Sequence, residues 1–214
     1  MESARDLPAG PGPDRPGPYE PGLILRTPEG RPFRFDAGAL CLELLITGGP
    51  EPYARHEALR TPDALVEWAA LSRLAPGLEP ELSVSGTEVR AARAVRDALL
   101  RLTLARAHDL TPDTADLATL NAAAAEPPLV ARITPEGAHA WAPGATGTGL
   151  LSTVARDAVA LFTGPYAHRI RECGSHDCFL LFADTSRPGR RRWCAMDRCG
   201  NRNRTRAHRA RRTR

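Results

Sequence analysis

The sequence predicts a mainly α-helical protein: a helical N-terminal domain with a small β-hairpin, followed by a compact cysteine-rich module ending in a basic helix. Three observations carry that reading. Apolar residues recur at helical spacing, with Val89, Ala92, Val95, Leu99, Leu102 and Ala105 forming one stripe. Aromatics are only 5 % of a chain that is 42 % hydrophobic, so a core must be assembled from Leu, Val and Ala, which suits packed helices. Four of the five cysteines, and twelve arginines, fall between Cys173 and Arg214. At 214 residues the chain suits one globular domain plus a small appended module.

Residues 1–22 hold six prolines and four glycines and read as a disordered tail, with no apolar stretch of the kind an export signal needs. Phe33 and Phe35 alternate with arginines, which suggests a short strand. Asp36 is then expected to cap a helix from about Ala37 to Ile46, stopped by Gly48-Gly49-Pro50. Cys41 lies on that helix and reads as a small core residue, since no histidine motif flanks it. Glu43 interrupts its apolar run, and no stretch reaches the roughly 18 apolar residues of a membrane helix. A soluble, cytoplasmic protein with no membrane partner is expected.

Thr61-Pro62 is a helix start, an N-cap followed by an N1 proline. That helix is expected to bury Leu65, Trp68, Ala69 and Leu71 to Leu74, and to end at Pro76-Gly77. Ser85-Gly-Thr-Glu88 has the form of a capping box and opens a long helix to about His108. Thr111-Pro112 opens the next, with Leu117, Leu120 and Ala124 inward and Pro127-Pro128 closing it. Leu129–Ile133 and His139–Trp141 form the expected hairpin around Thr134-Pro-Glu-Gly137. Residues 144–149 read as a loop and Leu150–Phe162 as an amphipathic helix ended by Thr163-Gly164-Pro165. That break divides a helical domain, 23–164, from a C-terminal module, 165–214.

Nothing upstream resembles catalytic machinery. The six histidines are scattered without metal-hydrolase spacing, and no glycine-rich phosphate loop or G-x-S-x-G occurs, so no enzymatic activity is expected.

The chemistry concentrates in the module. Cys173 and Cys178 form one C-x4-C pair and Cys194 and Cys199 another, fifteen residues apart. Tetrahedral zinc takes four such ligands, and a fifteen-residue spacer supplies one hairpin to bring the pairs together. The expected hairpin runs from Phe179–Ala183 through a turn to a return strand Arg190–Trp193. Gly174 and Gly200 are expected at positive φ, turning backbone N–H groups toward sulfur. Two disulfides would suit a secreted chain, and paired spacing argues against four unrelated thiols, so one structural zinc ion is the reading. His176, inside the first pair, is the one candidate to displace a cysteine.

From Arg187 onward twelve arginines face a single Asp197, a net +11 in a chain of net +4, which leaves −7 for everything upstream. Such segregation marks a nucleic-acid-binding tail. On a helix Arg198, Arg202, Arg206, Arg209 and Arg212 share an arc of roughly 120°. Arg190, Arg191, Arg192, Asn201 and Asn203 are further candidate contacts. The chain has no lysine, so part of the arginine excess is composition.

The residues Cys173…Cys178, Phe182-Ala-Asp184-Thr-Ser186, Arg191-Arg-Trp193-Cys194 and Cys199-Gly200-Asn201-Arg202 resemble the CGNR zinc finger over about forty positions. Upstream, Leu120-Asn-Ala-Ala-Ala and Pro127–Gly137 resemble the helical ABATE domain, described as a stress-induced transcription regulator. Where that family reads Leu-Asp-Leu-Val-Asn-Thr, this chain has Leu42-Glu43-Leu44-Leu45-Ile46-Thr47. The resemblance implies a treble-clef-like finger, with Cys173 and Cys178 on a knuckle and Cys199 at the start of the arginine helix. With the charge, it implies a zinc-dependent regulator that binds nucleic acid, duplex DNA first. An RNA-binding or ribosome-associated zinc protein, and a zinc-thiolate redox switch, stay open as alternatives, as does a small-molecule effector of the helical domain.

Overall fold

The computed structural model describes residues 22–74, 78 and 81–212, with side chains described to Arg206. The proline-rich tail before Gly22 and the Pro76-Gly77 stop lie outside the described residues. In chain order, β1 (Leu23–Arg26) pairs antiparallel with β2 (Pro32–Phe35), and α1 (Leu40–Leu44) follows, ending in a 3₁₀ turn, Leu45–Thr47. Then come α2 (Pro62–Leu71), the short β3 (Leu82–Ser83) and the long α3 (Gly86–Ala107). The body is completed by α4 (Thr114–Ala125), β4 (Ala131–Ile133), β5 (His139–Trp141), β6 (Ala145–Thr146) and α5 (Gly147–Thr163). The module contributes β7 (Ile170–Glu172), β8 (Leu181–Ala183) and α6 (Asn201–Arg212).

Local chemistry explains the longest element. The Ser85 hydroxyl accepts from Glu88 N–H at 3.2 Å while the Glu88 carboxylate accepts from Ser85 N–H at 2.8 Å, the reciprocal capping box that starts α3. The predicted stripe from Val89 to Ala105 is buried along it. α4 and α5 lean on one side of α3, and α2 and the turn after α1 on another. Thr61 caps α2 through Ala64 N–H, with Pro62 at N1.

Other boundaries moved. α1 starts three residues later than expected, after Ala39, because the Asp36 carboxylate accepts from Gly38 N–H and closes a turn rather than capping a helix. α4 is capped by Asp113, not Thr111. α5 begins at Gly147, inside the expected loop, because Thr146 caps it through Gly149 N–H. Leu71 is 73 % exposed, since α2 ends there and Leu74 turns inward after the Ser72 C-cap. β1 and the parallel bridge of β3 with β6 were not foreseen.

The return strand expected at 190–193 does not form. β8 pairs instead with β7, Ile170 opposite Ala183 and Glu172 opposite Leu181, so the hairpin encloses the first cysteine pair. Residues ahead of Cys173 thus supply the pairing edge.

The module also docks on the body. Ala183 N–H donates to Ala37 O at 2.9 Å, Arg106 Nε to Ala167 O at 3.0 Å, and His108 Nε2 lies 2.8 Å from Glu172. Gly38 makes this approach possible: at φ +80°, a Cβ there would sit 2.3 Å from Ala183 O. The four module cysteines join Phe33, Phe35 and Leu42 in one continuous core.

Candidate metal centre and basic helix

β7 and β8 hold the first two cysteines as a knuckle. Cys173 N–H donates to Leu180 O at 2.9 Å and Cys178 N–H to Ser175 O at 3.0 Å, which folds residues 173–178 tightly between the strands. Cys194 arrives alongside, its N–H donating to Cys173 Sγ at 3.3 Å, while Gly174 N–H donates to Arg192 O. Cys199 sits in a wide π-type turn, Met196–Gly200, that leads directly into α6.

All four Sγ atoms lie within 4.8 Å of one another, and all four residues are buried. Cys178 Sγ and Cys194 Sγ are 3.7 Å apart, against about 3.8 Å expected for two thiolates on a tetrahedral zinc and about 2.05 Å for a disulfide. Hydrogen bonds from Cys178 and Cys194 pull the Cys173 pKa down to about 2, and the same proton sharing pushes Cys178 up to about 12 and Cys194 higher. Four buried sulfurs gathered this closely, and not joined as disulfides, are the donor set of a tetrahedral metal site. These residues fit one structural zinc ion. His176, with its side chain 71 % exposed and its Nδ1 3.2 Å from Arg206, is not among the ligands.

Charge around the sulfurs is matched by arginine. Arg198 Nη1 reaches Cys178 Sγ at 3.5 Å and Cys194 Sγ at 4.0 Å, and Arg202 Nη2 reaches Cys199 Sγ at 3.5 Å. Zinc with four thiolates carries −2, so two guanidiniums against the sulfurs neutralise it. Arg202 also donates to Asp177 at 2.6 Å and to Ser175 Oγ at 3.1 Å, tying α6 to the knuckle. Arg191 stacks on the Phe182 ring, 4.1 Å from its centroid, and donates to Asp36 O, Trp193 O and Cys194 O.

Several predicted nucleic-acid contacts therefore face inward. Arg191, Arg198 and Arg202 brace the finger, and Asn203 Nδ2 donates to Ser175 Oγ and Cys199 O. Arg206 is exposed, at the rim of the same knuckle beside His176 and Asp177. Arg198 leaves the helical arc altogether, because it belongs to the π-type turn and α6 starts at Asn201. Arg190, Arg192, Asn201 and Arg204 are exposed. Positions 209 and 212 continue α6, their side chains outside the described residues.

Neither Gly174 nor Gly200 takes positive φ. At Gly174 a Cβ would press on Arg192 O and the Trp193 ring at 3.3 Å, whereas at Gly200 it would meet first the end of the flexible Met196 side chain, Sδ at 2.6 Å. Phe179, the first residue after the knuckle, is 46 % exposed and stands edge-on to Tyr53.

Cys41 lies apart from this centre. It is fully buried, its N–H donates to Asp157 at 2.8 Å, and burial beside that carboxylate raises its thiol pKa well above normal.

A family model described as "Putative stress-induced transcription regulator" (ABATE) matches residues 38–165, and one described as "CGNR zinc finger" matches residues 169–212. No curated protein matches the chain. The two matched stretches meet where α5 ends.

Proposed function

This chain belongs to the ABATE family and carries a CGNR zinc finger behind that domain, and from that premise we propose that it is a regulator of transcription that binds duplex DNA through its C-terminal helix. One observation carries the reading: +11 of net charge in residues 187–214 against −7 in the rest of the chain. Phosphate neutralisation by such a segment supplies most non-specific affinity. The exposed Arg190, Arg192 and Arg204 are the first phosphate contacts, with Arg206, Arg209 and Arg212 extending them along α6, while Asn201 is the candidate for a base edge. Arg198 and Arg202 act one step back, by holding the π-type turn and the helix on the knuckle, and Arg191 by tying the finger to the body.

In this reading the zinc is structural rather than catalytic, since four thiolates would leave it no open position for substrate. Burial of all four sulfurs supports a structural over a redox-sensing role. No helix among the described residues is long and apolar enough to cross a membrane.

Binding of the zinc-loaded protein to duplex DNA across a salt series tests the reading. Each neutralised phosphate contributes about 0.9 to the slope of log K, so a slope on the order of −4 to −7 is expected. Truncation after Asn203 keeps the four cysteines and flattens it. Arg204→Ala lowers affinity with zinc content unchanged. Structured RNA bound in the presence of excess duplex DNA would move the assignment to an RNA-binding protein.

A further inference from the structure

A groove of about 430 Å³ lies where the helical body and the finger meet, within the range that holds small organic ligands. Its floor is apolar and comes from the body: Leu25 and Phe33 from the β1–β2 hairpin, Leu42 and Ile46 from α1 and its following turn. The finger supplies the facing wall, Phe179 and Leu181. Phe179 stands in it as a half-open aromatic, its ring 6.0 Å from that of Tyr53.

Three arginines line it, Arg26, Arg55 and Arg198, with His56 beside Arg55. Among the described lining residues Asp177 is the one carboxylate, and Arg202 holds it at 2.6 Å. Arg198 is committed to the Phe33 ring, 4.6 Å from its centroid, and to the cysteine sulfurs. Arg26 and Arg55 are exposed and each spends one nitrogen locally, on Gly30 O and on His56 Nε2. A guanidinium has five N–H donors, so both keep donors for an incoming anion.

An apolar trough with arginines at its edge complements one ligand chemistry. We propose that this groove binds a small amphipathic carboxylate, its hydrocarbon body against Leu25, Phe33, Ile46 and Phe179 and its carboxylate on Arg26 and Arg55. The site needs both parts of the chain, since neither the body nor the finger forms both walls.

Octanoate is a suitable probe, with octanol as its uncharged match and inorganic phosphate as an anion without a tail. Calorimetric titration of the full-length, zinc-loaded protein should find one octanoate per chain, about tenfold tighter than octanol or phosphate. Combined Arg26→Ala and Arg55→Ala should weaken octanoate about tenfold and leave octanol unchanged. Ile46→Trp, which fills the trough, should abolish binding of both at unchanged helix content and zinc stoichiometry. If Ile46→Trp fails to fold, the double arginine variant decides alone, since both side chains are exposed. Absence of saturable octanoate binding, equal affinity for octanol, or undiminished binding in the double variant overturns the proposal. Each outcome is independent of whether the C-terminal helix binds duplex DNA.

Discussion

The helical body and the finger solve the same problem, a stable interior, with different materials. The body buries a Leu- and Ala-rich core along α3, and neutralises its buried charge with carboxylates. Arg96, only 1 % exposed, forks onto Glu57 at 2.8 and 2.9 Å and takes Asp97 as well, and Arg73 meets the buried Glu43 at 2.8 Å. In the finger the interior is sulfur and Phe182, and the arginines pair with thiolates and backbone carbonyls. A module of some fifty residues cannot bury enough apolar surface to hold itself, and metal-binding free energy substitutes for the missing core.

The largest effect should come from removing a metal ligand. Cys199→Ser is expected to lose zinc and unfold residues 165–214, since structural zinc contributes on the order of 10 kcal/mol. Metal analysis and circular dichroism check this. The contrast between the two regions predicts that α3 to α5 stay helical in that variant, with a lowered Tm because Ala37 and Asp36 lose their finger contacts. Full retention of structure in a metal-free protein would erase the distinction.

Next is the body's own buried charge. Arg96→Ala strands Glu57 and should cost about 3–5 kcal/mol in urea unfolding, with zinc content unchanged. Zinc loss there would show that body and finger are one cooperative unit. Arg191→Ala probes the seam directly, removing donors to Asp36 O and Cys194 O at once. About 2–3 kcal/mol is expected, from hydrogen bonds of a charged donor and the acceptors left behind. If two transitions are seen, they should move apart. The smallest effect is at Cys41. Cys41→Ala leaves a minor cavity, about 1 kcal/mol, and changes neither zinc content nor DNA binding.

What could be read ahead of the fold follows from the range of each interaction. The α3 boundaries and stripe are written within twenty-three residues, so Ser85, Glu88 and the apolar spacing suffice. The ligand set was legible because structural zinc takes four ligands and two C-x4-C pairs one hairpin apart supply four thiols. The β3–β6 bridge joins Leu82 to Ala145, two-residue strands whose partners are sixty-three positions apart, and nothing local announces it. The return strand was misplaced for a related reason. The run 190–193 follows the turn after β8 and is its nearest partner in sequence, but β8 pairs with Ile170–Glu172, while Arg191 stacks on Phe182 and donates to Asp36 O.

By itself, then, the sequence determined the helical class, the four zinc ligands and the charge of the last helix, because each depends on residue type and short spacing. Only the tertiary structure decided which arginines are free to meet a partner and which serve the metal. A guanidinium's direction is set by the nearest uncompensated negative charge. For Arg198 and Arg202 that charge is thiolate and the Asp177 carboxylate, brought within 4 Å only when the knuckle, the π-type turn and α6 close on one another.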